Sequence, residues 1–161
     1  YIIALNKSTN EFLRTNLEKA SDYAHQYVSL GKTINDINHL GSGYLFLISI
    51  HQNSGRLDSA GYYLKLLGAL SNSNTSNTRL KIHYNQAAGL YYKNQGQFKM
   101  ALPFMEDNLR LLTVENEGRA GQYLNIGNTY FNLGEYHQAV QNHLQALALF
   151  EKLKNKQPKN F

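Results

Sequence analysis

The 161-residue sequence predicts an all-α fold, an α-α superhelix of four helical hairpins. Apolar residues recur every three or four positions along most of the chain, which is the period of an amphipathic helix. Only two prolines occur, so few positions oppose helix formation. A pattern centred on alanine also recurs about every 40 residues, a period typical of stacked helical hairpins.

Composition and charge exclude several classes of function. The chain has no cysteine, which excludes disulfides and thiolate chemistry, and no apolar run long enough to span a membrane. The formal net charge of +5 has its excess in a C-terminal tail rather than in a stripe of basic and aromatic residues. We therefore expect no nucleic-acid partner. The basic residues of that tail are Lys152, Lys154, Lys156 and Lys159.

The stretch from Ala120 to Leu153 shows the hairpin pattern most clearly. Its first helix places Tyr123, Ile126, Gly127 and Tyr130 on one face, three or four residues apart. Gly134 then breaks the period, because glycine readily adopts the left-handed conformation that ends a helix. The second helix repeats the spacing, and we assign these residues to its inner face: Tyr136, Ala139, Val140, His143, Ala146, Leu147 and Phe150.

The same features recur in order along the chain and define four hairpins. One alanine marks each second helix, and one turn residue precedes it. The alanines are Ala20, Ala60, Ala101 and Ala139, and the turn residues are Thr15, Gly55, Gly96 and Gly134. A small residue in the first helix appears as Ser8, Gly89 and Gly127, with Ile48 interrupting the series.

The hairpins are expected to form a single domain. Their predicted spans are 1–33, 36–71, 79–114 and 118–153, with a polar loop at 71–78 and a basic tail at 154–161. Since the chain begins with Tyr1 rather than Met, we also expect it to be a piece of a longer protein.

The residues of the fourth hairpin resemble the tetratricopeptide repeat (TPR). Two positions depart from that pattern: His143 replaces a late aromatic residue, and Glu151 replaces the closing proline. A period near 40 exceeds the standard repeat of about 34 residues. It resembles the longer-helix variety found in bacterial sensor-kinase input regions, peptide-binding regulators and Pins/LGN scaffolds. The resemblance implies a non-enzymatic TPR module that binds a protein or peptide.

No constellation of residues points to catalysis, a metal or a cofactor. Gly31-Lys32-Thr33 resembles the end of a phosphate-binding loop, but Gln26 stands where its first glycine belongs, and a helix precedes it. His137 and His143 are six residues apart and point to different faces of their helix. We expect no catalytic residues, no metal and no cofactor.

The candidate site is the surface formed by the first helices, which line the concave side of such solenoids. Amide side chains there offer both a donor and an acceptor, which suits the backbone of an extended peptide. The fourth hairpin contributes Leu124, Asn125, Asn128, Phe131 and Asn132. The earlier hairpins contribute Gln86, Leu90, Lys93, Asn94, Phe46 and Ser49.

A second surface is predicted at the last helix, where Val140, Leu144 and Leu147 form an apolar stripe. We expect further repeats or a homodimer to cover it. Two functions follow: a sensing or scaffolding module of a bacterial signalling protein, or a structural solenoid that mediates assembly with its groove unused. The compartment is open: cytoplasmic, or periplasmic for the input region of a membrane sensor kinase.

Overall fold

The computed structural model describes residues 2–156, and within this range all regular secondary structure is α-helical. The prediction of an all-α fold of four helical hairpins is confirmed. Consecutive helices form the pairs. The helices are α1 (Ile2–Phe12), α2 (Leu17–Thr33), α3 (Ile37–Asn53), α4 (Leu57–Asn72), α5 (Thr78–Asn94), α6 (Phe98–Leu111), α7 (Glu117–Asn132) and α8 (Tyr136–Lys156).

The chain divides into two compact units, Tyr1–Ala87 and Ala88–Phe161. The first unit is built around large aliphatic side chains that are fully buried: Leu47, Ile50, Leu67 and Leu80. The second unit has a core cluster of Ala101, Met105 and Ile126, with Leu90, Tyr92, Leu102, Leu109 and Tyr130 packed around it. Residues 157–161, which include the predicted tail lysine Lys159, lie outside the described residues.

Side-chain caps fix where several helices begin. Asn16 accepts from the Lys19 amide before α2, and Asn116 accepts from the Arg119 amide before α7. Asp36 accepts from two amides at the start of α3, and these hydrogen bonds lower the pKa of its carboxyl group. Such caps supply partners for amide groups that the first helical turn leaves free.

The turns inside the second, third and fourth hairpins each depend on a glycine. Gly55, Gly96 and Gly134 have φ angles of 69°, 72° and 78°, the left-handed region that residues with a Cβ rarely adopt. The first hairpin has Thr15 at this place, and its turn between α1 and α2 is one residue longer. The sequence alignment of α1 is consequently shifted by one position.

That shift corrects one prediction. Ser8 was expected to be the small residue of α1 in the place of Gly127, but the longer turn puts Lys7 at that place. Ser8 is half-buried, and the fully buried Thr9 corresponds to Thr129 of α7. Thr9 fits because its hydroxyl donates to the carbonyl of Leu5, at 2.8 Å, within its own helix. The four aligned alanines are all buried, with at most 2% of their surface exposed, as predicted.

The inner face of α8 also differs from the prediction. Tyr136, Val140, Leu147 and Phe150 are exposed, whereas Ala139, Ala146 and Leu149 form the buried stripe against α7. The sequence of α8 is apolar around much of its circumference, but a helix that packs on one neighbour buries only a narrow stripe. Apolar residues beside that stripe therefore remain at the surface.

Candidate functional site

The fourth hairpin is held by a very close approach of α7 to α8. A Cβ added to Gly127 would lie 2.4 Å from Cδ2 of His143 and 3.2 Å from the carbonyl oxygen of Ala139. The first distance would force the His143 ring to move, and the second is tighter than an ordinary van der Waals contact. The absence of a side chain at Gly127 thus fixes which face of α7 is turned toward α8.

A second face of α7 is buried against α6, and polar residues form part of it. The Gln122 side chain donates to the carbonyl of Met105 at 2.9 Å, and the Thr129 hydroxyl donates to the carbonyl of Asn125 at 2.7 Å. Both residues are buried, with Ile126 between them. Sequence analysis missed this face because hydropathy assigns Gln and Thr to the surface. The spacing i, i+4, i+7 of Gln122, Ile126 and Thr129 is the signal that identifies it.

After α7 has packed on both neighbours, one strip of it remains open. Leu124 is 38% exposed and Phe131 is 59% exposed, and Asn128 lies between them on the same helix face. The Phe131 ring meets the ring of Tyr136 edge to face, with centroids 5.5 Å apart. We call Leu124, Asn128 and Phe131 the α7 strip. It combines two apolar side chains with an amide, as the sequence predicts.

Two asparagines of the predicted site have partners within the hairpin. Oδ1 of Asn128 lies 3.1 Å from Nε2 of His143, which joins the α7 strip to α8. Asn132 donates to the carbonyl of Asn128 at 2.7 Å, an interaction that closes the last turn of α7. The first contact positions the amide of Asn128, and the second makes Asn132 a helix-end residue.

Lys93 and Asn125 connect α5 to α7 through a direct hydrogen bond. The Lys93 ammonium donates to Oδ1 of Asn125 at 2.9 Å. Lys93 is half-buried, and this burial lowers the pKa of its ammonium group. Because lysine can only donate, the Asn125 oxygen is the acceptor and its amino group is oriented to donate elsewhere.

The other predicted site residues fall into different environments. Leu90 is half-buried against the core cluster of the second unit, and Asn94 is exposed. In the first unit, Gln86 is exposed. Phe46 is half-buried with its ring perpendicular to that of Tyr27, and Ser49 donates to the carbonyl of Leu45. Within the second unit, the structure brings Lys93 and Asn125 into contact and places the α7 strip on the same helix as Asn125.

The described residues contain no group of three or more His, Cys, Asp or Glu side chains arranged to hold a metal ion. Among helices in the described range, none is both long enough and apolar enough to cross a membrane. The arrangement that remains is a surface of amide donors, one partly buried cation and exposed apolar groups. The repeated hairpins define the class of helical-repeat proteins, and a surface with this chemistry is suited to contact with another polypeptide.

Comparison with known proteins identifies a family that the fourth hairpin matches. Residues 119–153 match the tetratricopeptide repeat family. Over 80 residues the chain is 32% identical to the protein O-mannosyl-transferase Tmtc3 of Drosophila melanogaster, a match that covers 45% of this chain and 8% of that protein.

Two solved structures share the fold. A signal transduction ATPase with numerous domains (STAND) from Pyrococcus horikoshii, with a tetratricopeptide repeat sensor, has a TM-score of 0.79 at 17% identity. That match covers 94% of this chain and 23% of the other. BtubC from P. vanneervenii has a TM-score of 0.68 at 14% identity, covering 90% of this chain and 61% of the other.

The fourth hairpin is therefore similar to the tetratricopeptide repeat family, as its sequence predicts. The chain spans only 8% to 61% of the length of these similar proteins. The matched repeat supports a protein-interaction module.

Proposed function

We propose that this chain is a non-enzymatic module that binds an extended peptide segment along the α7 strip, as the sensing or scaffolding region of a larger signalling protein. The observation that carries the proposal is the exposure of Leu124 and Phe131 after α7 has packed on both α6 and α8. The TPR region of the structurally similar STAND protein is described as a sensor, which supports the same role here.

The chemistry of the strip favours a peptide in an extended conformation. Leu124 and Phe131 are seven residues apart, about 10 Å along the helix, and each offers apolar surface to a ligand side chain. The amides of Asn125 and Asn128 lie between them, where they can donate to backbone carbonyls of the ligand. Peptide carbonyls left without a donor on desolvation cost about 1–3 kcal/mol each, so these amides favour a backbone ligand.

The same residues disfavour a strongly acidic ligand. Lys93 is the cation of this surface, and its ammonium is already engaged by the Asn125 oxygen. Burial lowers the pKa of the Lys93 ammonium group, so this group loses its proton more readily than an exposed lysine does. An internal peptide segment with apolar side chains fits this surface better than a C-terminal carboxylate cluster.

The alternative, an assembly solenoid with an unused groove, requires Leu124 and Phe131 to remain solvated.

A selection experiment with a matched control tests the proposal. Short random peptides displayed on phage are selected against the full chain, and enriched peptides are titrated by fluorescence anisotropy. Phe131→Ala should weaken binding about tenfold, the loss typical of an interface aromatic. Tyr62→Ala is the control, because Tyr62 is also 59% exposed and also packs edge to face on a neighbouring ring.

Two outcomes would count against the proposal. If repeated selection enriches no peptide, the α7 strip is not a peptide site. If Tyr62→Ala weakens the enriched peptides as much as Phe131→Ala does, the peptides recognise exposed aromatics in general. Circular dichroism of both variants should match the parent chain, since surface substitutions of this kind change stability by about 0.5 kcal/mol or less.

A further inference from the structure

Asn125 and Asn128 of α7 both have their side-chain oxygens occupied by the protein itself. The Lys93 ammonium donates to Oδ1 of Asn125 at 2.9 Å. Nε2 of His143 lies 3.1 Å from Oδ1 of Asn128, and because an amide oxygen can only accept, this ring nitrogen is the donor. The amino groups of the two asparagines are therefore the favoured partners for a ligand, and an amino group of this kind can only donate.

The contact to Asn128 depends on a histidine at a place that is apolar in the first three hairpins. There the residue four positions after the aligned alanine is apolar and buried. These residues are Ala24, Leu64 and Met105. The fourth hairpin has His143 at this place, with its ring edge against Gly127, the residue before Asn128. His143 thus fills a packing position and also fixes the direction in which the Asn128 amide faces.

A surface that only donates hydrogen bonds favours a ligand backbone with few N–H groups. An ordinary peptide segment presents an N–H group as well as a carbonyl at each residue. A desolvated N–H group that finds no acceptor disfavours binding. Proline has no backbone N–H group but keeps its carbonyl. A proline-rich segment therefore complements the amino groups of Asn125 and Asn128 better than an ordinary segment does.

The spacing of the two apolar residues in the α7 strip also fits a proline-rich segment. Leu124 and Phe131 are seven residues apart, which is about 10 Å along the helix. A polyproline II helix rises about 9 Å in each three-residue turn, so its side chains at i and i+3 reach both residues. Successive side chains on one face of a β-strand are only about 6.6–6.8 Å apart, which is too short.

Aromatic rings lie at one end of the strip. Phe131 is 59% exposed and Tyr136 is 62% exposed, and the two rings meet edge to face with centroids 5.5 Å apart. Proline-rich segments in the polyproline II conformation dock on aromatic-lined surfaces, because their backbone is already ordered before binding. The aromatic pair thus supplies a surface of the kind on which proline rings pack.

We propose that the α7 strip binds a proline-rich segment in the polyproline II conformation. Apolar residues at i and i+3 of the segment lie on Leu124 and Phe131, and carbonyls between them accept from the amino groups of Asn125 and Asn128. This inference rests on the proposed function and names the chemistry of its ligand.

The test compares two fluorescein-labelled peptides of equal length in anisotropy titrations of the full chain. The probe is decaproline, which adopts the polyproline II conformation. The control peptide alternates threonine and valine, so it presents apolar side chains together with backbone N–H groups. Decaproline should bind saturably, and the control peptide should bind at least about tenfold more weakly.

Two variants identify the amide of Asn128 as the donor. Asn128→Asp replaces the amino group by an oxygen of almost the same size and should weaken decaproline binding by about tenfold or more. Asn155→Asp is the matched control, because it makes the same change at an exposed asparagine of α8 and should leave the affinity unchanged. Circular dichroism of both variants should match the parent chain.

A third variant tests the role of His143. His143→Phe keeps a ring against Gly127 but removes the donor, so the Asn128 amide is free to turn its oxygen toward a ligand. The preference for decaproline over the control peptide should then decrease, a change that a purely structural role of His143 would not produce.

The outcomes separate this inference from the proposed function. If decaproline does not bind up to its solubility limit, while phage-selected peptides without proline bind and depend on Phe131, this inference is wrong and the proposed function stands. If neither decaproline nor any selected peptide binds, both are wrong. Equal affinity of the parent chain and Asn128→Asp for decaproline would also overturn the inference, since the amide would then not be the donor.

Discussion

Replacing Gly127 by alanine should destabilise the chain relative to the same replacement at Gly121. Both glycines lie in α7, so each variant gains about 1 kcal/mol of helix propensity. A Cβ at Gly121 meets no atom within 4 Å, whereas one at Gly127 would lie 2.4 Å from the His143 ring and 3.2 Å from the Ala139 carbonyl. Overpacking of this kind costs about 1–3 kcal/mol.

The difference between the two variants isolates the packing cost, because the propensity gain is common to both. Gly121→Ala should raise the free energy of unfolding, and Gly127→Ala should fall about 1–3 kcal/mol below it. For a chain of this size the two melting temperatures should then differ by about 2–4 °C per kcal/mol. Circular dichroism measures the free energies of unfolding in denaturant titrations and the melting temperatures in thermal scans.

A third variant separates the ring from the backbone as the source of the clash. In a His143→Ala background the ring is gone, so Gly127→Ala should regain most of its deficit there. If Gly127→Ala and Gly121→Ala are equally stable in the parent chain, the close approach of α7 to α8 is wrong.

Three further perturbations follow from the structure. Ala139→Leu should cost about 1–3 kcal/mol or more, because Ala139 is only 2% exposed; equal stability of the variant and parent in denaturant titrations would contradict this. Tyr130→Phe removes the hydrogen bond to Glu106 and should cost about 1.5–3 kcal/mol, measured the same way. Burial lowers the pKa of His83 from 6.5 to about 4. Above pH 6.5 this residue is neutral in both states. Below pH 6.5 the unfolded chain binds a proton at His83, whereas the folded chain does not. The free energy of unfolding should therefore fall by about 1.4 kcal/mol per pH unit down to about pH 4. His83→Gln should lose less stability than the parent between about pH 6.5 and 4, and parallel pH profiles would refute the assignment.

The repeat period and the turn residues were sufficient to predict the hairpins. Gly55, Gly96 and Gly134 adopt a left-handed backbone conformation that is unfavourable for other residues. A glycine at this spacing therefore predicts the turn directly from the sequence. The first hairpin lacks this glycine, and there the alignment failed by one residue. The single-domain organisation stays a prediction.

The faces of the helices were harder to predict because they depend on the neighbouring helices. Leu147 and Leu149 are both leucines and so have the same intrinsic preference for burial. Leu147 is nevertheless 54% exposed and Leu149 is 8% exposed. Only the rotation of α8 about its axis distinguishes them. The buried Gln122 and the contact between Lys93 and Asn125 likewise require side-chain geometry across helices, which local sequence patterns do not contain.

The central claim is that the α7 strip binds a peptide, and an amide NMR titration of the full chain with a phage-selected peptide tests it most directly. The account predicts that the largest shift changes lie on α7 between Leu124 and Asn132, and that Phe131→Ala needs about tenfold more peptide to reach them. Shift changes confined to Val140, Leu144 and Leu147, or to residues of the first unit, would contradict it.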